Sequence, residues 1–436
     1  GVLIVSKLSE LLPAGASGKT IEAVATANIA SKAPVILNSA GTVTQVAEAA
    51  SSGGSEVVYE SASVSYQTSS FDPKNVNTFI VAYRDSGNSQ YGTVAVGTVS
   101  GSTVSFGTPV VFGSFDTRFI SSSFDPNTAN QFVLAYKNQD DTQRIYCIRG
   151  AVSGTSASFG TGALVDSGNY SGYPAVAFNP NTANQFVVAY SDGNNSSHGT
   201  AAVGTVSGTS ISFASAVVFN AASTSTKSLS FDPNTSTKFV VAYTDSGNSS
   251  YGTGIVGTLS GTTPSFGSEY VFSSTTVDDP TVSFDPSTAA NFVICWRDQT
   301  NSSDGMGIVG TVASTAISYG PKSTFSTGTV QASAMAFNPT VAGEFVVAYY
   351  DSVVGNGLFK AGQVSGTDIT YGVVTTFNTG QSEQLSVAMV PNSSGKFVPC
   401  YADSANSSYG TAAVWTLGST NSASFVGIAD AAISSG

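Results

Sequence analysis

Charge is what this chain has least of. Asp, Glu, Lys and Arg make up only 10% of its 436 residues, and the 15 basic ones are scattered through a chain of net charge −12. Nucleic-acid binding needs Lys and Arg clustered against phosphates, so that class of partner is excluded. Histidine occurs once, at His198, in a position filled by Tyr91, Tyr251 and Tyr409 in related stretches. It reads as a loop aromatic, which argues against a His-ligated metal centre or a Ser-His-Asp relay. No metal and no cofactor are expected. Cysteine is equally sparse: Cys147, Cys295 and Cys400 are an odd set, and the last two precede an aromatic residue where other stretches carry Ala, as in Ala82-Tyr83. They read as small buried packing residues, too far apart to bridge. Long apolar runs are missing as well. Nothing approaches the ~20 residues of a membrane-spanning helix, and Val2-Leu3-Ile4-Val5 is shorter than the roughly 7–15 apolar residues of an export signal, so no membrane insertion is expected. The chain opens on Gly1 rather than Met, as expected of a processed product or a part of a longer polypeptide.

Gly, Ser, Thr and Asn fill the space that charge leaves, yet Val, Ile, Phe and Tyr recur with strand periodicity, which separates the chain from a disordered composition. A motif made of an apolar residue, Asp/Asn-Pro, and an apolar stretch ending in Tyr or Trp recurs along it. Its anchors are Phe71, Phe124, Phe178, Phe231, Phe284, Phe337 and Val390, in steps of 53, 54, 53, 53, 53 and 53 residues. So regular a period implies one supersecondary unit repeated seven times. Within one copy, Ser228 to Phe272, four apolar segments of 4–8 residues are bounded by Gly, Asn, Asp, Pro and Ser. These are four antiparallel strands, a to d. Asp-Pro-Asn-Thr reverses the chain between a and b, because Pro fixes φ and the Asp side chain bonds the backbone ahead. Val-Ser-Gly-Thr, at Val99, Val152 and Val206, supplies Gly at positive φ between c and d.

The expected fold is all-β, a seven-bladed β-propeller of four-stranded antiparallel blades with a small N-terminal arm. A linear β-solenoid is the rival. Ring closure favours the propeller: Glu56-Val-Val-Tyr59 aligns with the second half of a strand d although no strands a to c precede it. That half-strand is expected to pair in the last blade, whose own strand d is placed at 422–428, so that neither end leaves a free edge. The domains are then 1–55, the arm, and 56–436, the propeller. Within the arm, 7–13 reads as one or two helical turns, and 33–37 with 42–46 as a hairpin. An arm this small buries little core and is expected to dock on a partner or on copies of itself.

Function is expected on the face carrying loops b–c and d–a, where the copies differ. The b–c loop, Asp85-Ser-Gly-Asn-Ser-Gln-Tyr91, repeats its first Asp at Asp192, Asp245, Asp298, Asp351 and Asp403. Asp85 and Asp245 are candidate ligands for a cation or sugar hydroxyls. Set against that is a capping role, in which each Asp accepts backbone N–H bonds with Gly87 or Gly247 at positive φ. In the d–a connections, Phe115, Arg118, Tyr170 and Tyr173 are candidates for stacking on a sugar or contacting a protein. Asp278, Asp279 and Glu383 carry the one enzymatic alternative, a glycosidase pair, but no catalytic residue is assigned and the chain is read as a non-enzyme.

The stretches Tyr-Arg/Thr-Asp-Ser-Gly-Asn-Ser-x-Tyr-Gly-Thr and Val-Gly-Thr-Val-Ser-Gly-Thr-Ser-Ile-Ser-Phe resemble a repeat of predicted virion proteins of marine bacteriophages and other aquatic viruses. The likeness covers about 56–428; Ala33 to Val46 and Ser424 to Ile433 are similar to segments flanking such repeats in tail-fibre-like proteins. Copy two, with Lys137-Asn-Gln-Asp-Asp-Thr-Gln-Arg144, departs most. The resemblance implies an extracellular virion fibre or spike that attaches to a host receptor or glycan and assembles with other virion proteins through its arm. It brings no ligand residues with it. Alternatives are a capsid or tail decoration without a receptor, a secreted adhesin or lectin, and a glycan-cleaving propeller.

Overall fold

Strands pair antiparallel throughout residues 53–417, and the turns explain why. The computed structural model describes residues 2–4, 22–25, 34–37, 42–45, 50–165, 167–235, 237–418 and 425–428. The first full repeat runs as strand a (64–71), strand b (Thr78–Asp85), strand c (Tyr91–Ser100) and strand d (Thr103–Phe106, then 110–116). Asp72 Oδ1 accepts the Lys74 N–H at 2.8 Å to close the a–b reversal. Gly101, Gly154, Gly208 and Gly261 stand at φ of 60–61° in the c–d turns, as the Val-Ser-Gly-Thr motif predicts.

The pattern recurs, and among the described residues of 53–417 the pairings group into seven four-stranded sheets. Each inner strand a touches the next in order, and the last, Ser382–Met389, touches the first. There the Ser69 N–H donates to Ser386 Oγ at 2.8 Å. A solenoid has two ends and no such return.

Strand b of each sheet is apolar on both faces because a neighbouring sheet covers each face; Phe79, Ile80, Val81, Ala82 and Tyr83 are all fully buried. The core therefore lies between sheets. The Asp of the Asp-Pro turn ties one sheet to the next. Asp72 Oδ2 accepts the Asn130 N–H at 2.7 Å, Asp125 that of Asn184 at 2.9 Å, Asp232 that of Ala290 at 3.1 Å, and Asp285 that of Gly343 at 3.1 Å. Cys147, Cys295 and Cys400 are buried and unbridged, and burial pushes the Cys400 thiol up to about 12, so they pack rather than react.

Three expectations need correction. Met389, not Val390, is the seventh anchor: it pairs with Phe397 as Phe71 pairs with Phe79. Val390 thus takes the latch position of Asp72 and has no carboxylate to reach the first sheet. The segment 422–428 does not supply strand d of the last sheet. That edge is already taken, since Gly54 N donates to Val414 O at 2.7 Å and 57–63 pair with Tyr409–Ala412. The propeller unit accordingly spans Gly53–Leu417, and 418–436 group with 1–52. Finally, Gly87 and Gly247 are not the left-handed residues of the b–c loop; Ser89, Gln90, Ser249 and Ser250 are.

The second unit is described through five strands in the spatial order Val2–Ile4, Glu22–Ala25, Thr42–Gln45, Pro34–Leu37 and Phe425–Ile428. Pro34–Leu37 and Thr42–Gln45 form the expected antiparallel hairpin, while Glu22–Ala25 runs parallel to Thr42–Gln45. The helical turns expected at 7–13 lie outside the described residues.

Candidate functional site

Four of the variable d–a connections are not free loops. Val57–Phe71, Val110–Phe124, Val217–Phe231 and Thr263–Phe284 each run unbroken from the outer strand of one sheet into the inner strand of the next. Five of the inner strands bend inwards at a bulge: the register slips between Ser65 and Thr68, Arg118 and Ser121, Gly172 and Ala175, Asp278 and Thr281, and Glu383 and Ser386. A bulge re-aims a side chain, and here it does so at one place in the period. Tyr66, Phe119, Tyr173, Asp279 and Gln384, five residues before their anchors, stand at φ of 52°, 51°, 51°, 47° and 51°. Non-glycine residues adopt this conformation rarely and at a cost.

These five, with Ser228 and Gln331, bring all seven repeats to the wall of a funnel of about 690 Å³, a size typical of small-ligand sites. Its wall is divided by chemistry. Repeats one to three contribute a row of rings, Tyr66 to Phe119 at 4.8 Å and Phe119 to Tyr173 at 4.6 Å between centroids. Repeats five to seven contribute Asp279, Gln331, Glu383 and Gln384. The row and the polar wall meet where Gln384 Oε1 accepts the Tyr66 N–H at 2.7 Å. Gln67 Nε2 and Ser333 Oγ are buried in the wall with no hydrogen-bond partner, as groups are that water or a polar ligand completes.

Solvent reaches Asp279 through the funnel while protein closes round its other sides. Burial first, then the neighbouring Asp278, pushes its carboxyl up to about 6, against the opposing pull of Arg297. Asp278 itself is held by the Arg297 guanidinium and by Gln299 Nε2 at 2.9 Å. The Tyr173 hydroxyl is raised by burial and then by Asp278 and Asp279, which places the aromatic row within electrostatic reach of the carboxylates.

The sequence candidates scatter. Tyr173 lines the funnel. Tyr170, 70% exposed, lines a neighbouring cleft with Arg118, whose guanidinium pairs with Asp116 at 2.9 Å. Phe115 is a packing residue, stacked on Tyr136 at 5.6 Å. Asp85 and Asp245 are 7% and 5% exposed and cap their own loops: Asp85 Oδ1 accepts from Gly87 N at 2.9 Å, and Asp245 Oδ1 from Gly247 N at 3.0 Å. Both leave the ligand set. Of the enzymatic candidates, Asp279 and Glu383 share the funnel, whereas Asp278 is held in its ion pair. Among the described residues no cluster of three His, Cys, Asp or Glu is placed to hold a metal. Tyr66, Phe119 and Gln384 were missed; the available signal was an aromatic residue five before the anchor in three successive copies.

No protein-family model and no curated protein matches this chain. Among solved structures, the BP39L lectin from Burkholderia pseudomallei superposes with a TM-score of 0.58 at 12% identity, over 83% of this chain and 98% of that one. Sqt1 of Chaetomium thermophilum, solved bound to the N-terminus of the ribosomal protein L10, gives 0.52 at 12% identity, over 80% and 84%. A chain of the mitotic checkpoint complex gives 0.55 at 9% identity, over 84% and 95%. At such identities the likeness establishes the fold, a β-propeller; the number of sheets comes from this chain's own pairings.

Proposed function

We propose that this propeller is a non-enzymatic binding protein that takes a saccharide in its axial funnel, carried on a virion as a fibre or spike for host attachment. The observation that carries the binding reading is the row Tyr66, Phe119 and Tyr173 facing Asp279, Glu383, Gln331 and Gln384. Rings stack on the apolar face of a sugar and carboxylates or amides take its hydroxyls, a division of labour common to polar small-ligand sites. Likeness in fold to a lectin supports the same class. The virion setting rests on the sequence resemblance of the repeat and its flanking segments, and the arm is assigned there to contacts with other virion proteins or with copies of itself.

Phe119→Ala is expected to weaken saccharide binding by about tenfold or more, ~1.4 kcal/mol, in calorimetric titrations against oligosaccharides found on a glycan array. Unchanged affinity in a variant that melts like the wild type removes the funnel from the reading. Incubation with the bound glycan should release no new reducing ends; release restores the glycan-cleaving alternative through Asp279 and Glu383. Immunogold labelling of particles decides the setting: label on exposed fibre or spike tips is expected, whereas a funnel face covered by other subunits leaves a decoration protein.

Binding should also depend on pH. Asp279 titrates near 6, so its carboxylate is present at pH 7.5 and largely protonated at pH 5. Affinity is expected to fall across that interval, and Asp279→Asn should flatten the profile. The linkage for stability has the opposite sense. A raised acid pKa means the folded state holds its proton more tightly than the unfolded chain, so this contribution is complete below the unfolded value and is lost as pH rises through about 6.

A further inference from the structure

Resting on the saccharide reading, we propose that the cleft beside the funnel, lined by Arg118, Lys137, Gln143, Tyr170 and Ser225, is an anion subsite selecting saccharides that carry a carboxylate or sulfate group. Arg118 and Lys137 stand directly opposite each other on paired strands, and like charges in that relation destabilise a sheet. The corresponding pairs elsewhere avoid this: Ser65 faces Arg84, Asp278 faces Arg297, and Glu383 faces Ala402. Nearby acids do not relieve the pair fully. Asp116 divides itself between Arg118 at 2.9 Å and Arg84 at 2.7 Å, and Asp140 accepts the Asp116 N–H at 3.1 Å.

Lys137 is left over. Its ammonium lies 5.7 Å from the centre of the Phe119 ring, and no carboxylate pairs with it among the described residues. Burial, then Arg118, lowers its pKa. In a chain of net charge −12 with only 15 basic residues, two adjacent cations of which one pairs with no carboxylate among the described residues favour an anion beside them. The cleft, about 520 Å³, shares Phe119 and Tyr173 with the funnel. A sugar stacked on that ring pair therefore directs an acidic substituent on itself or its neighbour towards Lys137.

The test is calorimetric titration of the full chain with oligogalacturonate, sulfated galactan and neutral galactan oligosaccharides of one length. Wild type is expected to bind at least one acidic series tenfold or more tightly than the neutral one at low salt. Lys137→Gln should abolish that preference, with Lys137→Met as a second variant that keeps the apolar stem over Phe119. Which acidic series is preferred distinguishes carboxylate from sulfate. A preference that is absent, or that survives both substitutions while neutral sugars still bind, overturns the anion subsite alone. If Phe119→Ala alters no binding, or no saccharide binds, the saccharide reading falls with it.

Discussion

Gly257→Val is expected to lower the melting temperature by roughly 4 °C. Gly257 lies on strand c directly opposite Phe239 of strand b, and a Cβ built on it would come within 3.0 Å of three carbons of that ring. The ring has nowhere to go. Phe239 is fully buried, with Phe231 at 5.2 Å and Phe266 at 5.8 Å. Overpacking a tight core costs ~1–3 kcal/mol, and Val adds a branched side chain where no atom fits, so about 3 kcal/mol is the expectation. The same collision repeats at Gly97 on Phe79, Gly150 on Phe132, Gly204 on Phe186, Gly310 on Phe292 and Gly362 on Phe345. Gly101→Asn is the control, because Gly101 has φ of 61° and open space beyond its Cα, and Asn tolerates that conformation. Scanning calorimetry checks both; a Gly257→Val protein melting within a degree of wild type would remove the steric account of these glycines.

Asp125→Ala is expected to cost about 3–5 kcal/mol, because several buried donors lose their acceptor at once and each leaves ~1–3 kcal/mol uncompensated. Asp125 is fully buried. One oxygen accepts the Asn127 N–H at 2.8 Å inside its own turn; the other accepts the Asn184 N–H at 2.9 Å and Gln131 Nε2 at 3.2 Å. The substitution therefore opens a turn and an inter-sheet seam together. Asp125→Asn should be milder, since an amide keeps the turn bond and loses only the link. Asn already occupies this position at Asn179 and Asn338, where the amide nitrogen donates to Gln185 and Glu344 instead. Urea titration of the three proteins should give the order wild type, Asn, Ala. Equal midpoints for Asn and Ala would mean that the turn bond contributes nothing and that the link alone matters.

The latch and the glycine were legible as repeated residues long before their reasons were. The spacing of the Asp-Pro turns and the Val-Ser-Gly-Thr turns names strands a to d in most copies, because Pro and left-handed Gly act locally and their effect does not wait for a partner. The funnel wall was not legible in the same way. Phe115 and Tyr170 look alike in the sequence as aromatic residues of a variable stretch, yet one packs on Tyr136 and the other is open to solvent. Asp85 and Asp279 are both acids on the variable face; one caps a loop and the other enters the funnel. Local chemistry does not separate these pairs.

By itself, then, the sequence determined the period, the strands, the turns and the need for the ring to close, since each follows from contacts within about four residues or from the count of copies. Tertiary structure alone decided three things: that the N-terminal segment takes the closing edge without a C-terminal partner strand, that 425–428 belongs to the other unit, and which side chains reach the axis. The reason is the bulge at the start of each inner strand. One inserted residue turns the chain inwards, and whether a ring, a carboxylate or an amide faces the funnel depends on the neighbouring sheets that hold that bend in place.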